Sequence, residues 1–162
     1  LATERARIAA LVRPAERFLD PFAGAAPFAV SAGAAGAQVF AADGNPAAQR
    51  WAERNSALNN LSSEIFEFHI ALAETLLPRL RDFDRVVMNH PTAQLNYLEL
   101  ALAATRPGGS LHLYLLVNRG EDATAEMAAA LLGRGQVEAQ RLVHPFSPGR
   151  ELRVFDIRRG SS

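Results

Sequence analysis

"LVHPFSPGRELRVFDI", Leu142 to Ile157, contains two apolar, strand-like segments separated only by the turn from Phe146 to Gly149. A parallel crossover needs a dozen or more residues, usually a helix, so these two strands have to pair as an antiparallel hairpin. Everything upstream has the opposite character. Strand-like runs "RFLDPF", "AQVFAAD", "EIFEFH", "DRVVMN" and "SLHLYLLV" are separated by alanine- and leucine-rich stretches with helical spacing, at 27–35, 46–58, 92–104 and 122–133, and a further such stretch at 3–12 precedes the first strand. Alternating strands and helices predict an α/β fold, a mostly parallel sheet covered on both faces and closed by the C-terminal antiparallel hairpin. Residues 71–81 read as a short helix stopped or kinked by Pro78. "PGG" at 107–109 reads as a turn before the fifth strand, and "GRG" at 133–135 as a helix stop.

The 162 residues, 49% of them hydrophobic, suffice for one well-filled core, so a single domain over 1–162 is expected. No apolar run reaches the roughly 18 to 20 residues of a membrane helix, and the reading is of a soluble chain with no membrane partner. Compartment stays open between cytoplasm, nucleus and mitochondrion. There is no cysteine, and His69, His90, His112 and His144 lack metal-ligand spacing, so no metal is expected. Charge is balanced and every cation is arginine. Arginines gather at 5–17 and 150–159, where a solvated surface outweighs a nucleic-acid site on sequence alone. The chain opens on Leu1 inside a helix lead-in, the pattern of a piece of a longer protein.

Three stretches carry the candidate chemistry. "DPFAGAAPF", Asp20 to Phe28, joins the first strand to a helix through Ala23, Gly24, Ala25 and Ala26. Small residues there let a ligand approach the backbone at the carboxyl edge of the sheet, beside unpaired helix N–H groups. A tight structural turn explains the same residues equally well. "AADGNP" ends the second strand on Asp43, where a ribose hydroxyl pair is held in nucleotide-binding α/β folds; helix capping by Asp43, or by Asn45 as N-cap, is the alternative. "DRVVMNHP" emits Asn89 and Pro91 at a strand end. Asn offers a donor and an acceptor, and proline keeps the preceding residue out of helical geometry, so the pair can grip a planar amide or nucleobase edge; taken alone, a strand end with Asn89 as helix cap is the better reading.

In this order the stretches resemble the tRNA (guanine-N1)-methyltransferases of the Met-10+ type. "LATERARIAALV", "RPGGSLHLY" and "FSPGRELRVFDI" extend the likeness over nearly the whole chain. The resemblance implies a class I methyltransferase (Rossmann-like) sheet, S-adenosyl-L-methionine as cofactor, and methylation of guanine N1 at tRNA position 37. It places the cofactor against Asp20, Phe22, Ala23, Gly24, Ala25, Ala26, Asp43, Asn45 and Asn89. Glu4 becomes the base that takes the N1 proton, while Asn89 and Pro91 hold the guanine edge. Without the resemblance, Glu4 reads as a first-turn helix acid behind a Thr3 cap.

Two positions depart from the family pattern. Ala26 replaces a loop glycine, so its β-carbon is expected to restrict the backbone and crowd the cofactor. "FEFHIALAE" lacks the acid that would contact adenine, with Leu72 in its place, so weakened cofactor affinity is expected. Upstream RNA-binding domains are also expected in the full-length protein, through which tRNA binds; the chain alone should bind tRNA weakly and methylate little. Two other readings stay open. One is an aminocarboxypropyl transferase of wybutosine synthesis, against which Asn89 and Pro91 argue. The other is a degenerate methyltransferase-like RNA-binding or structural module.

Overall fold

A computed structural model describes residues 1–90 and 94–161. Helix α1 (Ala2–Leu11) leads into β1 (Arg17–Asp20), α2 (Pro27–Ala34), β2 (Gln38–Asp43), α3 (Pro46–Leu58), β3 (Phe66–Ile70), the short α4 (Ala73–Leu76) and β4 (Phe83–Met88). Then follow α5 (Leu98–Ala104), β5 (Thr105–Asn118), α6 (Ala123–Leu131), β6 (Gly135–Ser147) and β7 (Arg150–Arg159). The seven strands form one sheet in the order β3-β2-β1-β4-β5-β7-β6. Pairings among β1 to β5 are parallel, whereas β7 runs antiparallel between β5 and β6. This is the mostly parallel class I sheet with a terminal hairpin that the sequence implies.

The alternating strand residues fill two cores. Phe18, Val39, Val87, Tyr114 and Val154 pack one face with Ile8 of α1 and Phe28 of α2. Leu19, Val86, Met88, Leu113 and Phe155 pack the other with α5 and α6. Neighbours such as Phe18 and Leu19 therefore point to opposite faces, and both are fully buried, as a helix-covered parallel sheet requires. No helix among the described residues is long and apolar enough to cross a membrane.

Four details differ from the sequence reading. The helix expected over 92–104 is a 3₁₀ turn (Gln94–Tyr97) followed by α5, and residues 91–93 lie outside the described residues. "PGG" is not a turn: β5 already begins at Thr105 and runs through it. The register against β4 slips between Phe83 and Arg85, Gly108 sits at φ +76°, and a β-carbon on Gly109 would lie 2.9 Å from Arg106 O and 3.0 Å from Asp84 O. The glycines thus build a bulge in a strand. β6 starts at Gly135, three residues before the strand-like run "EAQRLVHPF" that opens at Glu138 in the sequence. Helix α1 begins at Ala2, so Thr3 is inside it and caps nothing. At Pro78 the chain does break from α4 into a 3₁₀ turn (Leu77–Arg79), the expected stop.

Candidate functional site

The loop after β1 turns at Gly24 (φ +56°) and Ala26 (φ 63°, ψ 43°), and Pro27 opens α2 at its first turn. Gly24 has open space where a β-carbon would stand, so the backbone is exposed to the cleft above it. Asp43, at the end of β2, fixes the loop: Oδ2 accepts the Gly24 N–H at 2.9 Å and Oδ1 accepts the Asn45 N–H at 2.8 Å. Asn45 is spent as the α3 N-cap, its Oδ1 accepting from Ala47 N at 3.0 Å, so the capping alternative describes its side chain.

Beside this loop, at the carboxyl edge, lies a cleft of about 390 Å³. It is lined by Pro21, Phe22, Gly24, Asp43 and Gly44 together with Leu72, Ala73, Glu74, Asn89, His90 and Tyr97. The wall is aromatic, with Phe22 4.9 Å from the His90 ring and 5.1 Å from the Tyr97 ring between centroids. His90 Nδ1 is buried with no hydrogen-bond partner among the described residues.

Of the residues singled out in the sequence, the cleft brings together Phe22, Gly24, Asp43 and Asn89. Ala23 and Ala26 belong to the buried core instead, and Ala26 is 0% exposed. Its β-carbon therefore does not line the cleft, and the expected crowding of a cofactor gives way to a backbone constraint, a non-glycine residue held in the left-handed region. Ala25 is exposed, and its carbonyl accepts from Asn55 Nδ2 at 2.9 Å, tying the loop to α3. Pro91 lies outside the described residues.

Asp20 sits under the loop, 1% exposed, with Oδ1 lacking a hydrogen-bond partner among the described residues. Burial pushes its carboxyl up to about 7; the Phe22 backbone N–H opposes the shift and the nearby Asp43 charge adds to it.

Glu74 was not singled out in the sequence. It places a carboxylate in the cleft two residues beyond Leu72, and accepts a hydrogen bond from the Tyr97 hydroxyl at 3.3 Å. Leu72 itself supplies no acid, and the nearby carboxylate is that of Glu74; an acid in the first turn after the third strand is the signal that could have found it.

Glu4 does not line the cleft. It is 4% exposed, and its Oε1 accepts from the Tyr114 hydroxyl at 2.8 Å and from Arg7 Nη2 at 2.9 Å. Met88 and Leu113 are the last pair of the β4–β5 ladder, and Glu4 is bonded to Tyr114, the residue after that pair on β5, as Asn89 is on β4. Arg7 also donates to Asp156 at 2.7 Å, Asp156 contacts His112 Nδ1 at 2.7 Å, and His112 Nε2 lies 2.8 Å from Arg85 Nη1. A guanidinium can only donate, so Nε2 accepts and the proton resides on Nδ1, facing Asp156. Burial lowers the His112 pKa, in keeping with that neutral ring. For Asp156 burial acts upward, but His112 and Arg7 outweigh it and hold its carboxyl at about 2. Burial and the Glu4 hydrogen bond both raise Tyr114.

Two further cavities, about 290 and 250 Å³, share Arg13, Arg85, Ser110 and Arg158 at the amino end of the sheet. Their charges are largely spent on Arg85–Glu16, Arg106–Asp84 and Arg158–Glu138 pairs. No cluster able to hold a metal ion occurs among the described residues.

Residues 1–130 match the model of the TRM5/TYW2 methyltransferase domain. The tRNA (guanine(37)-N(1))-methyltransferase Trm5b of Pyrococcus abyssi is 27% identical over 98% of this chain and 48% of its own length. Its crystal structure superposes with a TM-score of 0.88, covering 99% of this chain and 49% of that one. The human tRNA (guanine(37)-N(1))-methyltransferase is 36% identical over 94% of this chain and 35% of its own length. A complex of aTrm5 with tRNALeu contains a similar domain, 25% identical, with a TM-score of 0.85 over 98% of this chain and 45% of that one. The chain thus spans about half the length of these relatives, or less.

Proposed function

Because the chain belongs to the TRM5/TYW2 methyltransferase domain family, we propose that it is the catalytic domain of an S-adenosyl-L-methionine-dependent tRNA methyltransferase acting on guanine-37 N1. The observation that carries this reading is Asp43 fastening the Gly24 loop at the rim of an aromatic-walled cleft on the carboxyl edge. The residues fit the cofactor. Asp20 Oδ1 is a buried acceptor without a donor among the described residues, suited to the ammonium of an amino acid. Asp43 keeps lone pairs for ribose hydroxyls, the open backbone at Gly24 admits the methionine portion, and Phe22 and Leu72 supply apolar contact. When bound, the cofactor supplies an electrophilic methyl group.

The protein's part is alignment and proton handling. Guanine N1 carries a proton and its lone pair is delocalised, so a base must take that proton as the nitrogen attacks. Glu4 is that base in this reading, held by Tyr114 and Arg7 beside the strand end that bears Asn89. Asn89 and Pro91 grip the guanine edge, and in-line placement contributes several kcal/mol. The base leaves its stack to arrive there. Asn89 and Pro91 also favour methyl transfer over aminocarboxypropyl transfer within this family.

Calorimetric titration with S-adenosylhomocysteine tests the reading. The chain should bind it, and Asp43→Ala should weaken binding by about 100-fold, the loss of two charge-assisted hydrogen bonds. Undiminished binding by the variant defeats the assignment. The mass of the nucleoside formed by the full-length protein on tRNA separates methyl from aminocarboxypropyl transfer.

A further inference from the structure

The outer face of α3 carries a group of side chains that the cleft does not use. Trp51, the single tryptophan of the chain, is 50% exposed. The guanidinium carbons of Arg50 and Arg54 each lie 5.9 Å from its ring centroid, and neither arginine has an ion pair or hydrogen bond among the described residues. Leu58, 71% exposed, continues the stripe. At 100° per residue, Arg50, Arg54, Leu58 and Trp51 share one quadrant of the helix, opposite the buried Ala48, Ala52 and Ser56. The neighbouring acid, Glu53, is turned away and bonded to Gln49.

Seven of the 17 arginines, Arg7, Arg85, Arg106 and Arg158 among them, are paired with carboxylates among the described residues. Arg50 and Arg54 are not, and both lie over a tryptophan ring that stays half exposed. A carboxylate-bearing peptide would satisfy the charges but leave the ring unused, and an apolar partner would bury two unpaired cations at heavy cost. A strand of phosphates bearing planar bases satisfies both.

We propose that the Arg50–Trp51–Arg54 face of α3 is a docking surface for single-stranded RNA, one base stacking on Trp51 while the two guanidiniums meet flanking phosphates. This rests on the tRNA-directed reading above and adds a second contact outside the cleft. The position suits it. Helix α3 starts directly after Asp43 at the rim of the cleft, and Asn55 on the same helix holds the Ala25 carbonyl of the loop. The stripe from Arg50 to Leu58 runs roughly 12 Å down the outside of the domain.

Trp51 is its own reporter. A 5′-labelled single-stranded RNA of about ten nucleotides is titrated into the chain while label anisotropy and tryptophan emission are followed together. Saturable quenching that tracks the anisotropy is expected. Trp51→Ala should weaken binding roughly 5- to 100-fold with Trp51→Phe largely restoring it, and Arg50→Gln with Arg54→Gln should lower the salt slope by about 1.4. RNA binding with unchanged emission and no effect of these variants overturns the surface. So does loss through the arginine variants alone with Trp51→Ala neutral, which marks mere charge attraction. Absence of RNA binding while S-adenosylhomocysteine still binds overturns it and leaves the cofactor reading standing. Emission that shifts with protein concentration alone overturns it in favour of a contact between copies.

Discussion

Replacing Asp20 by Asn tests whether the loop after β1 holds a carboxyl group at an energetic loss that a ligand repairs. Its carboxyl moves from 3.8 to about 7 on folding, and each unit is worth 1.36 kcal/mol. Taking 1.36 × (7 − 3.8), the native state forgoes about 4 kcal/mol once Asp20 must ionise. The sign follows from the direction of the shift. The folded pKa lies above the unfolded one, so there is no cost below about pH 4; the cost grows as pH rises and is complete above about pH 7. At pH 5 it is only roughly 1.5 kcal/mol. An Asn side chain keeps an oxygen for the Phe22 N–H, but its amide meets the same lack of partners, a fixed cost of about 1–3 kcal/mol. That cost is the same at every pH. The difference is therefore the robust quantity: Asp20→Asn should gain about 2.5 to 3 kcal/mol more at pH 8 than at pH 5, read from urea denaturation of both proteins. In the same reading, an ammonium-bearing ligand such as S-adenosylhomocysteine displaces about half a proton at pH 7, visible as a buffer-dependent binding enthalpy that the variant lacks. An equal gain at both pH values refutes the reasoning.

Ala26→Gly relieves a left-handed alanine, worth about 1–2 kcal/mol, but loses a buried methyl and adds chain entropy of similar total. Stability should change by under about 0.5 kcal/mol and S-adenosylhomocysteine affinity not at all; a tenfold tighter complex in calorimetry would restore the crowding argument. Tyr114→Phe removes one donor from Glu4 Oε1, and a denaturation cycle with Glu4→Gln should return a coupling above about 1 kcal/mol. Asp156, held at about 2, stabilises the fold above its unfolded value, and that contribution is lost as pH falls from about 4 to 2. With solvent screening it is on the order of 1–2 kcal/mol, so Asp156→Asn should show a flatter acid limb of stability over that window.

The features legible in the sequence are those whose cause is local. The Gly24 loop, Asp43 at a strand end and the short link to the last strand, which the structure narrows from 146–149 to Pro148 and Gly149, each declare themselves within a dozen residues. "PGG" misled because its composition is that of a turn, while pairing with β4 draws the same residues into a strand. The surroundings of Glu4 were invisible for another reason. Its hydroxyl donor is 110 residues away, and Arg7 finds Asp156 across 149 residues, separations that no periodicity encodes. Ala26 was legible as a departure but not in its effect, since only the packing reveals that its methyl points into the core. Glu74 was hidden by an expectation fixed on the residue two places earlier.

The position of β7 has a consequence in time. It is the final strand in chain order, yet it lies between β5 and β6, so the hairpin cannot join the sheet until residues 150–159 are in place. Such non-local closure is slow compared with forming a helix or a hairpin. The same strand brings Asp156, the second carboxylate to hold Arg7. A molecule that has assembled β1 to β5 can therefore already present the Gly24 loop and Asp43, while Glu4 waits for the last segment to lock its neighbour. Ligand affinity should mature first, and the base role proposed for Glu4 should become possible in one late step.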